Sequence, residues 1–275
     1  MTSPAATRDL SSSITLDVTA PAELVLSIAV ADSVTRSSED VSFTVDGTPL
    51  SEQSVSVLTM RGGTRLHRLS DVPVGTLVIS YRAVVEAGAV DGEPVTDLAE
   101  IVYTRPSRYC GSDRLAAVAA THFGELSGRA LIDGIAEWVH ANIAYTLGSS
   151  DVTDGALEAY LSRQGVCRDL AQLVITFCRA RGVPARLVSV YAPGLTPMDF
   201  HAVAEVAVDG LWEVVDATRL APRESLVRIA TGRDAADTAF LTTLSGRTTL
   251  MSMQVLATAG PDLPQEDPRA TVRLA

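Results

Sequence analysis

The chain reads as an α+β protein, with an antiparallel β-sandwich of about a hundred residues followed by a unit of helices packed on an antiparallel sheet. Three observations predict this. Apolar and polar residues alternate up to about Val85. From Ser127 the apolar positions recur at three- and four-residue spacing. After Gly182 the two-residue alternation returns in three runs. These changes divide the chain into residues 1–104, the sandwich, and 105–260, the second unit. Residues 261–275 form a polar, proline-bearing tail expected to be poorly ordered.

Each element has a local reason. Residues 14–18 alternate and 23–30 continue the pattern. The run 41–45 ends at Asp46-Gly47, a pair suited to a tight hairpin turn. Strand-like runs follow at 64–69 and 76–85, separated by a turn through 71–75. Ser112 or Asp113 caps a helix that reaches about Phe123. Residues 127–143 form the clearest helix, with Leu131, Ile135, Trp138 and Val139 on one face. Thr153 or Asp154 caps a shorter helix ending near Arg163. A helix over 167–181 turns Leu170, Val174 and Phe177 inward and stops at Gly182-Val183-Pro184. Strands at 185–191, 201–208 and 211–215 complete the unit, the last two joined by Asp209-Gly210.

Composition removes some functions. A net charge of −11 argues against nucleic-acid backbones and anionic membranes as partners. No apolar run approaches the roughly 20 residues of a membrane span. The start of the chain lacks a basic stretch followed by an apolar one, so no secretory signal is read and the expected compartment is the cytoplasm. The three cysteines are an odd, sparse set, consistent with reduced thiols. Zinc-site spacing, a phosphate loop and a dinucleotide fingerprint are all missing, so neither metal nor cofactor is expected. Residues 151–155 lack the spaced oxygens and closing glutamate of a calcium loop and read as a turn before a helix.

Cys167 stands at the start of a helix, directly after Gly165-Val166. Unpaired N–H groups there carry partial positive charge, which favours thiolate and can stabilise an oxyanion beside the sulfur. Of the four histidines, His67 belongs to the sandwich, and His122 and His140 read as solvated helix positions. His201 opens a strand at a loop edge, where it can face a cleft. Asp216 ends the next strand. His201 lies eight positions before Asp209, and Asp216 six after Gly210, so the hairpin brings both to nearly the same end. A thiol, an imidazole and an orienting carboxylate are the parts of nucleophilic acyl transfer. Cys178 follows Cys167 by eleven residues of helix, too far for a disulfide, and reads as core packing. Cys110 lies in a loop, where a thiol can react, but nothing nearby supplies a base.

The segments G-V-C-R-D-L-A-Q-L, G-V-P-A-R-L-V-S-V-Y, D-F-H-A-V-A-E-V and L-W-E-V-V-D-A-T, in this order, resemble the bacterial transglutaminase-like proteins over roughly residues 105–220. The preceding β region is similar to the N-terminal sandwich of bacterial members, and R-P-S-R-Y-C-G-S-D-R-L to their domain junction. The resemblance implies a papain-like transglutaminase core, with Cys167 as nucleophile, His201 as base and Asp216 as orienting carboxylate. It leaves the second oxyanion donor open between Tyr145 and Gln164, and suggests Arg168, Asp169, Gln172, Phe200 and Asp234 as cleft-lining positions. The 232–237 segment, to which Asp234 belongs, either lines the cleft or caps a turn. The family often has histidine, tryptophan and proline where Gln172, Val203 and Ala217 stand, which weakens any transfer of substrate preference.

Two functions follow. In the first, the chain is a cysteine-type peptidase or amidase, or a transglutaminase-like acyltransferase. It acts on a peptide or protein amide with water or an amine as acceptor, hydrolysis being favoured because no second-substrate feature is visible. In the second, it is a catalytically silent binding or scaffold protein on the same fold. Retention of Cys167, His201 and Asp216 favours the first.

Overall fold

The structure, a computed structural model, describes residues 7–60, 62–86 and 92–274. The outer ends of the expected sandwich segment and of the tail, residues 1–6 and 275, lie outside these.

The first sheet grows from one long strand, β1 (Thr7–Leu26), in which Ile14, Leu16 and Val18 are buried between more exposed neighbours. It is followed by β2 (Arg36–Val45), β3 (Thr48–Pro49), β4 (Val55–Thr59), β5 (Arg65–Val72) and β6 (Gly75–Glu86). The front of β1 pairs antiparallel with β6, from Thr7↔Glu86 to Val18↔Gly75; its rear pairs with β5, from Ala22↔Val72 to Leu26↔His67. Register shifts between Val18 and Leu24 mark the change of partner. The two halves enclose a single apolar core, across which Phe43 and His67 stand 6.0 Å apart. Asp46 and Gly47 both adopt positive φ, as the hairpin turn requires.

The second unit opens with α1 (Asp97–Thr104), in a stretch that carries no strong sequence period; Thr96 caps it by accepting from the Ala99 N–H at 3.2 Å. Next come α2 (Ala116–Phe123), α3 (Gly128–Asn142), β7 (Ala144–Tyr145), α4 (Ala156–Ser162), β8 (Gln164–Gly165) and α5 (Cys167–Ala180). The cap of α4 is Gly155, whose N–H is bound by Glu158, rather than Thr153 or Asp154; the Asp154 carboxylate instead accepts from the Asp151 N–H. The strands β9 (Ala185–Tyr191), β10 (Phe200–Val208), β11 (Leu211–Val215) and β12 (Val227–Gly232) form an antiparallel sheet ordered β11-β10-β9-β12. Leu170, Val174 and Phe177 of α5 pack with Ala204 and Val206 on one face of this sheet. Tyr191, Val227 and Ile229 reach into the sandwich core, and the Tyr191 hydroxyl donates to the Ile28 carbonyl at 2.8 Å.

Two features correct the expected organisation. The last part of the 105–260 segment is a twenty-residue strand, β13 (Leu241–Gly260), which pairs with β1 along its length and so completes the first sheet. The tail is also not a loose end. Val272 and Leu274 are about 5% exposed and pack with Val188, Val203 and Val214. The Val214 N–H donates to the Val272 carbonyl at 2.8 Å, and Arg223 pairs with Glu266 at 2.7 Å. The physical reason is the edge of the second sheet. Among the described residues the outer side of β11 meets no further strand of its sheet; the 93–95 segment bonds it at Trp212 and the tail at Val214, covering backbone groups that a polar composition alone does not reveal. Among the described residues, no helix is long and apolar enough to cross a membrane.

Candidate active site

α5 begins at Cys167 itself, because its N-terminus is closed by its own third residue. The buried Asp169 carboxylate accepts from the Val166 N–H at 2.9 Å. Gly165 permits this fit, since a Cβ there would stand 2.7 Å from Asp169 Cβ. The Arg168 guanidinium grips Asp169 at 3.0 Å and the Asp151 carbonyl at 2.7 Å, tying the 146–155 loop to the start of the helix. β7 and β8 add a second tie, with Tyr145 paired to Gly165 and the Thr146 N–H donating to the Gly165 carbonyl at 2.9 Å. The Cys167 thiol is thus held partly exposed at the head of a clamped helix.

His201 and Asp216 reach each other through the β10–β11 hairpin, whose Asp209-Gly210 turn has both residues at positive φ. His201 Nε2 donates to Asp216 Oδ2 at 2.9 Å, and both side chains are buried. Asp216 Oδ1 is held by Thr218 through its N–H at 2.8 Å and its hydroxyl at 2.7 Å. Thr218 was not singled out by sequence reasoning; the Asp-x-Thr spacing, typical of side-chain-closed turns, was its signal. His140 was also missed. Expected to be merely solvated, its Nδ1 bonds the Ala217 carbonyl at 2.8 Å and anchors the same turn from α3.

The electrostatics follow from this packing. Burial opposes a charge on His201, but the Asp216 carboxylate and the Cys167 sulfur outweigh it and push the imidazolium up to about 10. His201 Nδ1 makes no hydrogen bond of full geometry; it is the nitrogen left over for the thiol, whose sulfur lies near enough to contribute to that shift. Burial works against the Asp216 anion as well, yet His201 and the Thr218 donors hold it below the ordinary carboxylate value. The Tyr145 phenol is pushed up to about 12, by burial first and then by the negative groups of Cys167, Asp199 and Asp216; the Cys167 N–H opposes this. A protonated phenol therefore stands beside the Cys167 amide and sulfur.

The remaining candidates fall elsewhere. Asp169, Gln172 and Asp234 are each no more than 2% exposed and so do not line an open cleft. Asp169 closes the helix. Gln172 Oε1 accepts from the Ala235 N–H at 3.3 Å. Asp234 accepts from the Tyr109 N–H at 2.9 Å and the Ala236 N–H at 3.0 Å, which makes it a turn cap. Phe200 packs between Tyr191 and Phe240, where the two units meet. Gln164 is exposed, and its backbone in β8 pairs with Ala144, one residue before Tyr145. Cys110, read as a loop thiol that can react, is wholly buried. Its thiol donates to the Gln172 carbonyl at 3.6 Å, and burial pushes it up to about 12, as it does Cys178. Among the described residues, no group of three or more His, Cys, Asp or Glu is placed to hold a metal ion.

Comparison with known proteins adds independent findings. A family model described as the transglutaminase-like superfamily matches residues 116–217. Uncharacterized proteins of Mycobacterium tuberculosis and Mycobacterium bovis are 35% identical over 83 residues, 29% of this chain and 26% of theirs. The chain thus spans about a quarter of the length of the curated relatives it matches. A crystal structure of a candidate cysteine protease from Cytophaga hutchinsonii superimposes with a TM-score of 0.84 at 31% identity, covering 98% of this chain and 96% of that one.

Proposed function

Since the chain belongs to the transglutaminase-like superfamily, we propose that it is a thiol-dependent acyl-transfer enzyme that cleaves peptide or glutamine-type amides through a thioester on Cys167, with water as the favoured acceptor. One observation carries the reading. His201 is oriented by Asp216 through Nε2, and its Nδ1 is left for the thiol at the head of α5.

The steps use only these groups. The Cys167 thiolate attacks the amide carbon, forming the C–S bond and moving the carbonyl electrons onto oxygen. The Cys167 N–H at the helix start and the Tyr145 hydroxyl stabilise that oxyanion; a single such donor accounts for roughly 10²–10³ in rate elsewhere. Gln164 has no comparable support. The C–N bond then breaks, and His201 gives its Nδ1 proton to the departing amine. In the second half, His201 takes a proton from water as the oxygen attacks the thioester, and the C–S bond breaks to restore the thiolate. Asp216 keeps the ring in one tautomer throughout.

A screen of peptide and glutamine-amide substrates, with and without an added primary amine, tests the proposal. Release of ammonia or of a free amine is expected from the parent protein and none from Cys167→Ala. Turnover that survives in Cys167→Ala would remove the thiol from the mechanism. Products that carry the added amine would move the assignment from hydrolase to transglutaminase.

A further inference from the structure

Asp199 lies two residues before His201, at the head of β10. Side chains two apart in an extended chain share a side, so its carboxylate is set toward the imidazole rather than away from it. One oxygen accepts from the Phe200 N–H at 2.7 Å, which fixes the carboxylate at the strand entry. The residue is exposed, whereas His201 is buried and Cys167 partly so, which places Asp199 at the mouth of the site. Its charge reaches both His201 and Tyr145, and each of these is also within reach of Cys167. The Arg168 guanidinium near the helix start is already engaged by Asp169, Ser150 and Asp151. Among the described residues Asp199 forms no ion pair. Among the described residues, this exposed carboxylate two positions from His201 makes one backbone hydrogen bond and no ion pair.

Resting on the acyl-transfer reading, we propose that Asp199 is a specificity residue, which recognises a positively charged group beside the scissile amide. The favoured substrates are then amides with an ammonium or guanidinium group next to the bond that breaks. The net charge of −11 draws such molecules toward the protein, and Asp199 supplies the local attraction. Neutral and cationic substrates are separated at this residue, and anionic ones are repelled.

The test uses small thiol reagents of matched chemistry and different charge. Methanethiosulfonates react when the Cys167 thiolate attacks the sulfenyl sulfur and sulfinate leaves, with no added oxidant or reductant. Labelling rates are measured with the cationic 2-aminoethyl, neutral methyl and anionic 2-sulfonatoethyl reagents on the parent protein, Asp199→Asn and Asp199→Glu, with Cys167 read by peptide mass mapping. A unit charge a few Å away in water-like surroundings changes the cationic-to-neutral rate ratio by about threefold. That ratio is expected to fall by this factor in Asp199→Asn, to be retained in Asp199→Glu, and to shrink in the parent at high salt. A ratio equal in parent and Asp199→Asn, with Cys167 reacting readily in both, would overturn this inference alone. A Cys167 inert to all three reagents would overturn the acyl-transfer reading and take this one with it.

Discussion

His201 Nε2 and Asp216 Oδ2 stand 2.9 Å apart, with both side chains closed off from solvent. Among the described residues the carboxylate has no counter-charge but the imidazolium, and the imidazolium no stronger support than the carboxylate. Several measurable consequences follow from that dependence.

The first concerns pH. The His201 imidazolium titrates near 10 in the folded protein and near 6.5 in the unfolded chain, so folding favours the protonated ring. Its contribution to stability is complete below about pH 6.5 and is lost as pH rises toward 10. Asp216, held below its ordinary value, contributes above about pH 3.9 and loses that contribution as the solution becomes more acidic. The melting temperature of the parent should therefore decline from pH 7 to 10 more steeply than that of Asp216→Asn. Parallel curves from differential scanning calorimetry would show that the pair is not ionic.

A second consequence is chemical. His201→Ala removes the cation beside the sulfur and should slow iodoacetamide labelling of Cys167 by about tenfold at neutral pH. Asp216→Ala leaves the imidazole in place and should slow labelling less. Cys110 and Cys178 are buried and supply an internal reference of low reactivity. Equal labelling of His201→Ala and the parent at every pH would favour the silent-scaffold function instead.

Thr218 holds the far oxygen of Asp216 through two donors. Thr218→Val keeps the shape and the backbone donor but deletes the hydroxyl, leaving a buried anion with one fewer hydrogen bond. A loss of ~2 kcal/mol in urea unfolding is expected. Thr218→Ser should recover most of it, which separates the hydrogen bond from methyl packing.

The tail offers a test independent of the site. Leu274 lies 5% exposed in the core beside Val188 and Val214. Leu274→Ala should cost about 2–3 kcal/mol of stability by leaving a cavity. A poorly ordered tail would tolerate it within about 0.5 kcal/mol. Limited proteolysis gives a second reading, since the parent should resist cleavage after Arg269 and Arg273 better than the variant.

Much of this protein was legible in its sequence, because short-range physics determined it. The alternation at 14–18 and 41–45, the apolar face of 128–142 and the Asp209-Gly210 turn each follow from local periodicity or backbone preference. Hairpin spacing alone was enough to bring His201 near Asp216, since a two-residue turn leaves little freedom of register. What only the tertiary structure decided involves partners far apart in the chain. β13 pairs with β1 across more than two hundred residues, and nothing within residues 241–260 names that partner. Val272 and Leu274 find apolar neighbours only once the edge of β11 exists, so a stretch of polar composition was read as loose. Gln172 and Asp234, chosen as cleft residues, are buried because the 233–237 turn folds back onto α5. Cys110 is sealed by that same approach, and His140 meets the Ala217 carbonyl only through the packing of α3 on the hairpin. A side chain's period states which way it faces along its own element, whereas its burial and its partner depend on what the rest of the chain brings to it.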